Sequence, residues 1–179
     1  LLESRGLGDV YKRQVDEVTK TSKTVGFLRS DHANCSAILW DNLERNPDKL
    51  AVVGPAGSLT YAQLVASAAQ WGNAFMRFGL RRGDRIPFFL DDTPAYPAAF
   101  FGAVRAGLVP VLLNTQTNAE TLAYFLADTE ARLVLCEADL RGAFSDDIVA
   151  ASAVEKIIIV NGGANAPDQV EADEFLHSM

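Results

Sequence analysis

Short apolar runs alternate with segments of helical periodicity along most of the chain. The apolar runs begin near residues 85, 109, 132 and 156, and the stretches between them carry apolar residues at the spacing of one helix face. A separation of about 24 residues between strand starts is typical of strand–helix units whose strands run parallel. The pattern therefore predicts an α/β fold, a partial doubly wound parallel sheet with flanking helices.

Capping residues predict where the helices begin. Thr60 and Gln63 form a capping-box pattern, and Thr117 and Glu120 form a second one. Thr93 precedes a proline and is the predicted cap of the helix that joins the first two parallel strands. We therefore expect three helices to begin at these positions.

Glycines and apolar periodicity predict where two of the helices end and which face is buried. Gly79 and Gly107 follow helical stretches and are expected to end them in the left-handed conformation. The helix after the first capping box carries apolar residues on one face, which predicts core packing rather than a cofactor site. These residues are Leu64, Ala68, Trp71, Phe75 and Phe78.

The ends of the chain differ from its centre. A short amphipathic helix and a hairpin over residues 51–59 precede the first capping box. The helix contains Trp40, which we expect to be a core or lid residue rather than a ligand-stacking one. Residues 1–29 lack periodicity, and we expect a disordered leader whose residues 1–14 are translated adapter sequence. After residue 160 we expect a loop and a short helix over Glu171–Leu176. Because no strand pattern follows, residues 30–179 are expected to be a truncated part of a larger domain.

Charge and hydropathy narrow the class of protein. The net charge is −7, and residues 30–179 alone carry −9, which disfavours nucleic-acid binding because that needs a basic surface. No apolar run approaches the roughly 20 residues of a membrane span. We therefore expect a soluble, cytoplasmic protein whose partners are small molecules or proteins.

Few residues offer catalytic chemistry. Cys35 and Cys136 lie far apart with no ligand-spaced partner, which disfavours a zinc site and a disulfide framework. Cys136 falls in an apolar strand and is expected to be buried. Neither His32 nor His177 has a nucleophile or carboxylate at a motif spacing, so a catalytic role is disfavoured for both.

Polar residues follow the first two predicted parallel strands, at the sheet edge where ligands of such folds bind. Asp91 and Asp92 follow the first strand, and Asn114 and Thr115 follow the second. The first loop lacks the glycines of a phosphate-binding loop. Asp91 and Asp92 could bind a metal or act in acid–base chemistry, but two carboxylates without a third ligand favour a solvated turn. We predict no catalytic residue and no metal site.

Two segments resemble signature motifs of the adenylate-forming acyl-CoA synthetases. Leu59–Leu64 (LTYAQL) resembles the first motif, and Val104–Asn114 (VRAGLVPVLLN) resembles the second. The resemblance covers most of residues 34–179. Within the family, residues 92–115, 124–126 and 131–134 look most like the benzoate–CoA ligase branch.

The resemblance implies a parent enzyme that uses ATP, Mg²⁺ and CoA to convert a carboxylic acid to its CoA thioester. It also implies that the phosphate loop and catalytic lysine lie further along the chain than residue 179. Tyr61 and Gly107 match motif positions, with expected roles in packing and turn geometry. We therefore expect the amino-terminal part of a ligase, inactive alone and binding none of these cofactors tightly.

Two alternatives stay open at this point. The chain could be a complete α/β binding or interaction module, with its ligand near Asp92 and Asn114. It could also come from a related adenylating domain of a peptide synthetase or a fatty-acyl ligase, because both motifs are shared with those classes.

Overall fold

The computed structural model describes residues 34–162 and 169–177. The expectations for residues 1–29 and for His32 lie outside these described residues. The α-helices are α1 (Ala37–Arg45), α2 (Tyr61–Phe78), α3 (Ala95–Arg105), α4 (Ala119–Thr129), α5 (Asp146–Ala150) and α6 (Ala172–His177). The strands are β1 (Leu50–Gly54), β2 (Gly57–Thr60), β3 (Arg85–Phe89), β4 (Val109–Leu112), β5 (Leu133–Glu137), β6 (Lys156–Val160) and β7 (Gln169–Glu171).

Five strands form one parallel sheet, which confirms the predicted fold class. Their order is β4-β3-β5-β6-β7, and every neighbouring pair is parallel. The chain moves from β3 outward to β4 and then returns to the opposite side of β3 as β5. The strand order therefore reverses between β3 and β5. The predicted hairpin of β1 and β2 is present as a separate antiparallel pair.

Helices cover both faces of the sheet. The strands are buried on both sides because alternate residues enter different cores, as Phe88 and Phe89 do. The core on the Phe88 face is built with α1, α2, α3 and α6 and includes the predicted stripe of α2, with Phe78 only partly buried. The core on the Phe89 face is built with α4, α5 and residues 138–144. This two-sided arrangement is what the continuous apolar strands predict.

Several local predictions are confirmed. Thr60 and Gln63 make both hydrogen bonds of the capping box at the start of α2. Gly79 and Gly107 adopt positive φ angles of 92° and 79° at the ends of α2 and α3. Trp40 packs against the core, and the Arg105 guanidinium carbon lies 4.6 Å from its ring centroid.

Two predicted caps are wrong. α4 is capped by Asn118, whose Oδ1 accepts from the Thr121 N–H at 2.9 Å, so the helix begins later than the pattern at Thr117 and Glu120 indicates. Asparagine caps helices as well as threonine does, and here the Asn118 side chain forms the capping hydrogen bond in place of Thr117. α3 begins after Pro94, which has helical torsion angles, so the Thr93 side chain is not its cap.

The last third of the chain departs most from expectation. The weak helical pattern over residues 138–153 forms a 3₁₀ helix (Ala138–Ala143) and the short α5. The predicted terminal helix is present as α6, but the preceding strand β7 was not predicted. β7 has only three residues, which is too short for a strand pattern to be visible in the sequence. It is a strand because its backbone pairs with β6. Of the helices in the described ranges, none has the length and apolarity needed to cross a membrane.

Candidate functional site

The strand order reverses between β3 and β5, and in open α/β sheets ligands bind at the carboxyl ends of the strands at such a point. Glu137 is the last residue of β5, and its side chain is only 6% exposed. Its Oε1 accepts a hydrogen bond from Asn161 Nδ2 at 2.6 Å. Its Oε2 lies 3.4 Å from the Asp91 N–H. Glu137 thus connects the residues that follow β3 and β6.

Asn161 is the second member of this group, which we call the edge cluster: Asp91, Thr93, Glu137 and Asn161. Its Nδ2 also lies 3.3 Å from the Thr93 hydroxyl. Asn161 has a φ of 58°, in the left-handed region that asparagine tolerates better than most residues. This turn directs the Asn161 side chain toward Glu137 and Thr93. The hydrogen bond to Glu137 in turn stabilises the left-handed conformation of Asn161.

Burial raises the pKa of the Glu137 carboxyl. The nearby Asp91 and Asp139 carboxylates also raise this pKa, whereas the hydrogen bonds from the Asn161 side chain and the Asp91 N–H lower it. Both of these partners are neutral groups, and the effect of burial dominates. A buried carboxyl with a raised pKa in a crevice is a feature of functional sites as well as of structural networks.

We predict that Glu137→Gln becomes more stable relative to the natural chain as the pH rises. A raised pKa means that the stability contributed by this carboxyl is fully present below its ordinary pKa of 4.5 and is lost as the pH rises through the folded-state value. Glutamine does not titrate and can still accept the Asn161 hydrogen bond. Urea unfolding at several pH values from about 4 to 8 measures the difference in unfolding free energy.

Glu137→Ala serves as the control for this prediction. It also removes the titration but deprives the Asn161 amide of this acceptor, so we expect it to be less stable than Glu137→Gln at every pH. A difference between Glu137→Gln and the natural chain that stays constant with pH would show that burial does not perturb Glu137.

The predicted edge residues lie after the carboxyl ends of β3 and β4, where the sequence pattern places them. Asp91 and Asp92 are exposed, and the Asn114 Oδ1 accepts from the Gln116 N–H at 2.9 Å within its own turn. Within residues 34–162 and 169–177, no group of three or more His, Cys, Asp or Glu side chains could hold a metal ion. Asp91 and Asp92 are thus exposed at a turn, and the Asn114 side chain stabilises its own turn.

The remaining candidates have structural surroundings. Tyr61 packs at the edge of the core, and Gly107 ends α3. Cys136 is buried, and burial raises the pKa of its thiol to about 12, so it is a poor nucleophile at neutral pH. His177 lies at the end of α6, where Nδ1 is 2.7 Å from the Asp173 carbonyl oxygen.

A cleft of about 500 Å³ lies beside the edge cluster on the Phe88 face. Its volume is in the range of small-molecule sites. It is bordered by the carboxyl ends of β6 and β7 and by residues of α2, α3, α6 and the hairpin. Its lining residues are Leu59, Ser67, Trp71, Pro94, Ala95, Ile159, Val160, Asn161, Gly162, Glu171, Ala172, Asp173 and Leu176.

The described residues at this edge do not fit a nucleotide or Mg²⁺. Neither Lys nor Arg is among the described residues that line the cleft. The β3–α3 loop has no glycine whose backbone could approach a phosphate. We therefore derive no chemical step through ATP or Mg²⁺ from these residues.

Sequence reasoning missed Glu137 and Asn161. Both residues end apolar runs, which is the position that the fold assigns to ligand-binding side chains. Their position at the end of an apolar run was the one sequence feature that could have indicated a site, because neither residue belongs to a motif.

Comparison with known proteins identifies one enzyme family. Residues 39–177 match the family described as AMP-binding enzyme. The chain is 36% identical over 140 residues to the 4-hydroxybenzoate–CoA/benzoate–CoA ligase of Rhodopseudomonas palustris, covering 78% of this chain and 26% of that protein. It is 32% identical over 129 residues to the 3-hydroxybenzoate–CoA ligase of Aromatoleum sp., covering 72% of this chain and 24% of that protein.

Solved structures show the same similarity. The anthranilate CoA ligase AuaEII in complex with anthranoyl-AMP superimposes with a TM-score of 0.76 and 25% identity, over 81% of this chain and 28% of that chain. A benzoate CoA ligase from Burkholderia xenovorans gives a TM-score of 0.70 and 28% identity, over 80% of this chain and 28% of that chain. This chain therefore spans about a quarter of the length of the relatives that it matches.

Proposed function

Because the chain belongs to the AMP-binding enzyme family, we propose that it is part of an acid–CoA ligase that acts on an aromatic carboxylate such as benzoate. The observation that carries this proposal is the match of residues 39–177, together with two relatives above 30% identity that are named for hydroxybenzoates. The proposed reaction converts a carboxylate, ATP and CoA to an acyl-CoA, AMP and diphosphate. A carboxylate needs such activation because it is a poor electrophile until one oxygen becomes part of a good leaving group.

In this proposal the chain contributes scaffold rather than reacting groups. Residues 30–179 form the amino-terminal part of the ligase domain, and other parts of the ligase hold the acid, ATP, Mg²⁺ and CoA. Two observations support this division. The cleft has no basic lining residue among those described, and Cys136 and Glu137 are buried in structural surroundings.

The isolated chain is predicted to have no ligase activity. Purified chain incubated with ATP, Mg²⁺, CoA and benzoate should form no benzoyl-CoA above the level of a protein-free control, because its described residues provide no phosphate-binding site. Chromatographic detection of benzoyl-CoA is the measurement. Sustained product formation in proportion to the chain's concentration would overturn this prediction.

A chimera tests the ligase proposal. The residues of the R. palustris ligase that match this chain are replaced by the corresponding residues of this chain, and formation of benzoyl-CoA is measured. Because the two segments are 36% identical over 140 residues, we expect a folded chimera that forms benzoyl-CoA. The matched control is the same chimera with Gly102→Val, which places a side chain where two helices touch.

The alternative is a self-contained α/β module that binds a small molecule without catalysis. The cleft of about 500 Å³ is the observation that favours it. Saturable binding of a small molecule by the isolated chain, together with a chimera that folds but forms no benzoyl-CoA, would support the module.

A further inference from the structure

Among its described lining residues, the cleft defined above combines apolar walls with negatively charged side chains. Leu59, Pro94 and Leu176 are partly buried apolar residues of its lining. Trp71 also contributes to the lining, although it is only 2% exposed. These side chains come from β2, α2, α6 and the start of α3, so the apolar surface surrounds a volume rather than forming a flat patch.

The ionisable residues among the described lining are Glu171 and Asp173, and both are exposed. Ser67 and Asn161 add neutral polar groups. The nearby Arg77 is not a lining residue, and its guanidinium donates to the Leu176 carbonyl at 3.1 Å. A lining with two carboxylates and no cation repels carboxylates and phosphates and attracts a positive charge.

We propose that this cleft binds a small organic ammonium compound, with its apolar body against Leu59, Pro94 and Leu176 and its ammonium group near Glu171 and Asp173. The volume of the cleft fits a small ligand, and its walls fit an apolar body. Its two carboxylates favour a ligand with a positive charge. The proposed ligase reactants, namely an aromatic carboxylate, ATP and CoA, are all anions. The charge of the described lining does not match these anions, and the ammonium proposal stands independently of the proposed function.

Three matched probes test the proposal on the isolated chain at about pH 7.5. Benzylammonium, benzyl alcohol and benzoate share an aromatic ring and differ in charge. Titration followed by amide NMR should show saturable shifts for benzylammonium that centre on residues 161–162 and 171–173. Exposed charge pairs contribute modestly, so we expect benzylammonium to bind about fivefold more tightly than benzyl alcohol, and benzoate to bind more weakly than either.

Paired substitutions test whether the charge of the cleft, rather than a change of fold, determines the affinity for benzylammonium. Glu171→Gln with Asp173→Asn should reduce benzylammonium affinity to that of benzyl alcohol and leave benzyl alcohol binding unchanged. The matched control is Glu120→Gln with Asp128→Asn on α4, two exposed carboxylates on the other side of the sheet, which should leave benzylammonium affinity unchanged.

Benzoate that binds the cleft as tightly as benzylammonium would overturn the proposal. So would benzylammonium shifts that do not saturate, or that are unaffected by the paired substitution at residues 171 and 173. If the chimera forms no benzoyl-CoA, the binding results expected for the cleft do not change. The ligase proposal and the cleft proposal can therefore be contradicted independently.

Discussion

Replacing Gly102 by valine should strongly destabilise the fold. α2 and α3 approach so closely at this point that a Cβ atom on Gly102 would lie 2.5 Å from the Ala68 carbonyl oxygen and 2.8 Å from the Trp71 Cβ. Gly72 faces Gly102 across the same contact, and its own Cβ would lie 2.9 Å from the Gly102 carbonyl oxygen. These neighbours are backbone atoms or a Cβ, so they cannot rotate away.

Overpacking of a core typically costs about 1–3 kcal/mol, and more where backbones must separate. We expect a loss of at least about 3 kcal/mol, a large part of the 5–15 kcal/mol typical of a domain. Urea unfolding measures this loss. Gly142→Ala is the control, because nothing lies within 4 Å of a Cβ at that position, and it should be neutral. A Gly102→Val chain as stable as the natural one would show that α2 and α3 are further apart than described here.

Replacing Phe175 by alanine should produce the second large effect. Phe175 is 1% exposed, and its ring centroid lies 6.2 Å from that of Trp71, 6.1 Å from that of Phe75 and 6.2 Å from that of Phe78. Removal of a buried phenylalanine side chain typically costs about 3–5 kcal/mol because it loses contacts and leaves a cavity. Because Phe175 anchors α6, amide hydrogen exchange in residues 169–177 should rise as well.

Thermal or urea unfolding together with hydrogen exchange tests this prediction. Tyr124→Ala is the control, since Tyr124 is 62% exposed on α4 and its loss should change stability by less than about 0.5 kcal/mol. Equal stability of the Phe175→Ala and Tyr124→Ala chains would mean that α6 does not pack on α2.

The parallel sheet was predictable because its strands are apolar on both faces and separated by capped helices. β3, β5 and β6 are buried throughout most of their length, and burial on both faces produces a continuous apolar run that sequence reveals directly. The first residue of α4 was less predictable, because Thr117 and Asn118 are both suitable caps and only the packed helix selects between them.

The edge cluster and the α2–α3 contact depend on tertiary geometry. Glu137 and Asn161 are separated by 24 positions in the chain and meet because β5 and β6 are neighbours in register. Likewise, Gly72 and Gly102 resemble other helical glycines until two helices are placed together. The short strand β7 needs β6 as a template for the same reason.

We propose that residues 39–177 are the scaffold of an enzyme that activates aromatic carboxylates. Benzoate-dependent exchange of labelled diphosphate into ATP by the chimera tests it most directly, because this exchange reports the adenylation step alone. We expect exchange within about tenfold of the R. palustris ligase, equivalent to about 1.4 kcal/mol in the barrier, and no exchange with Gly102→Val. A folded chimera that catalyses no exchange would contradict the claim.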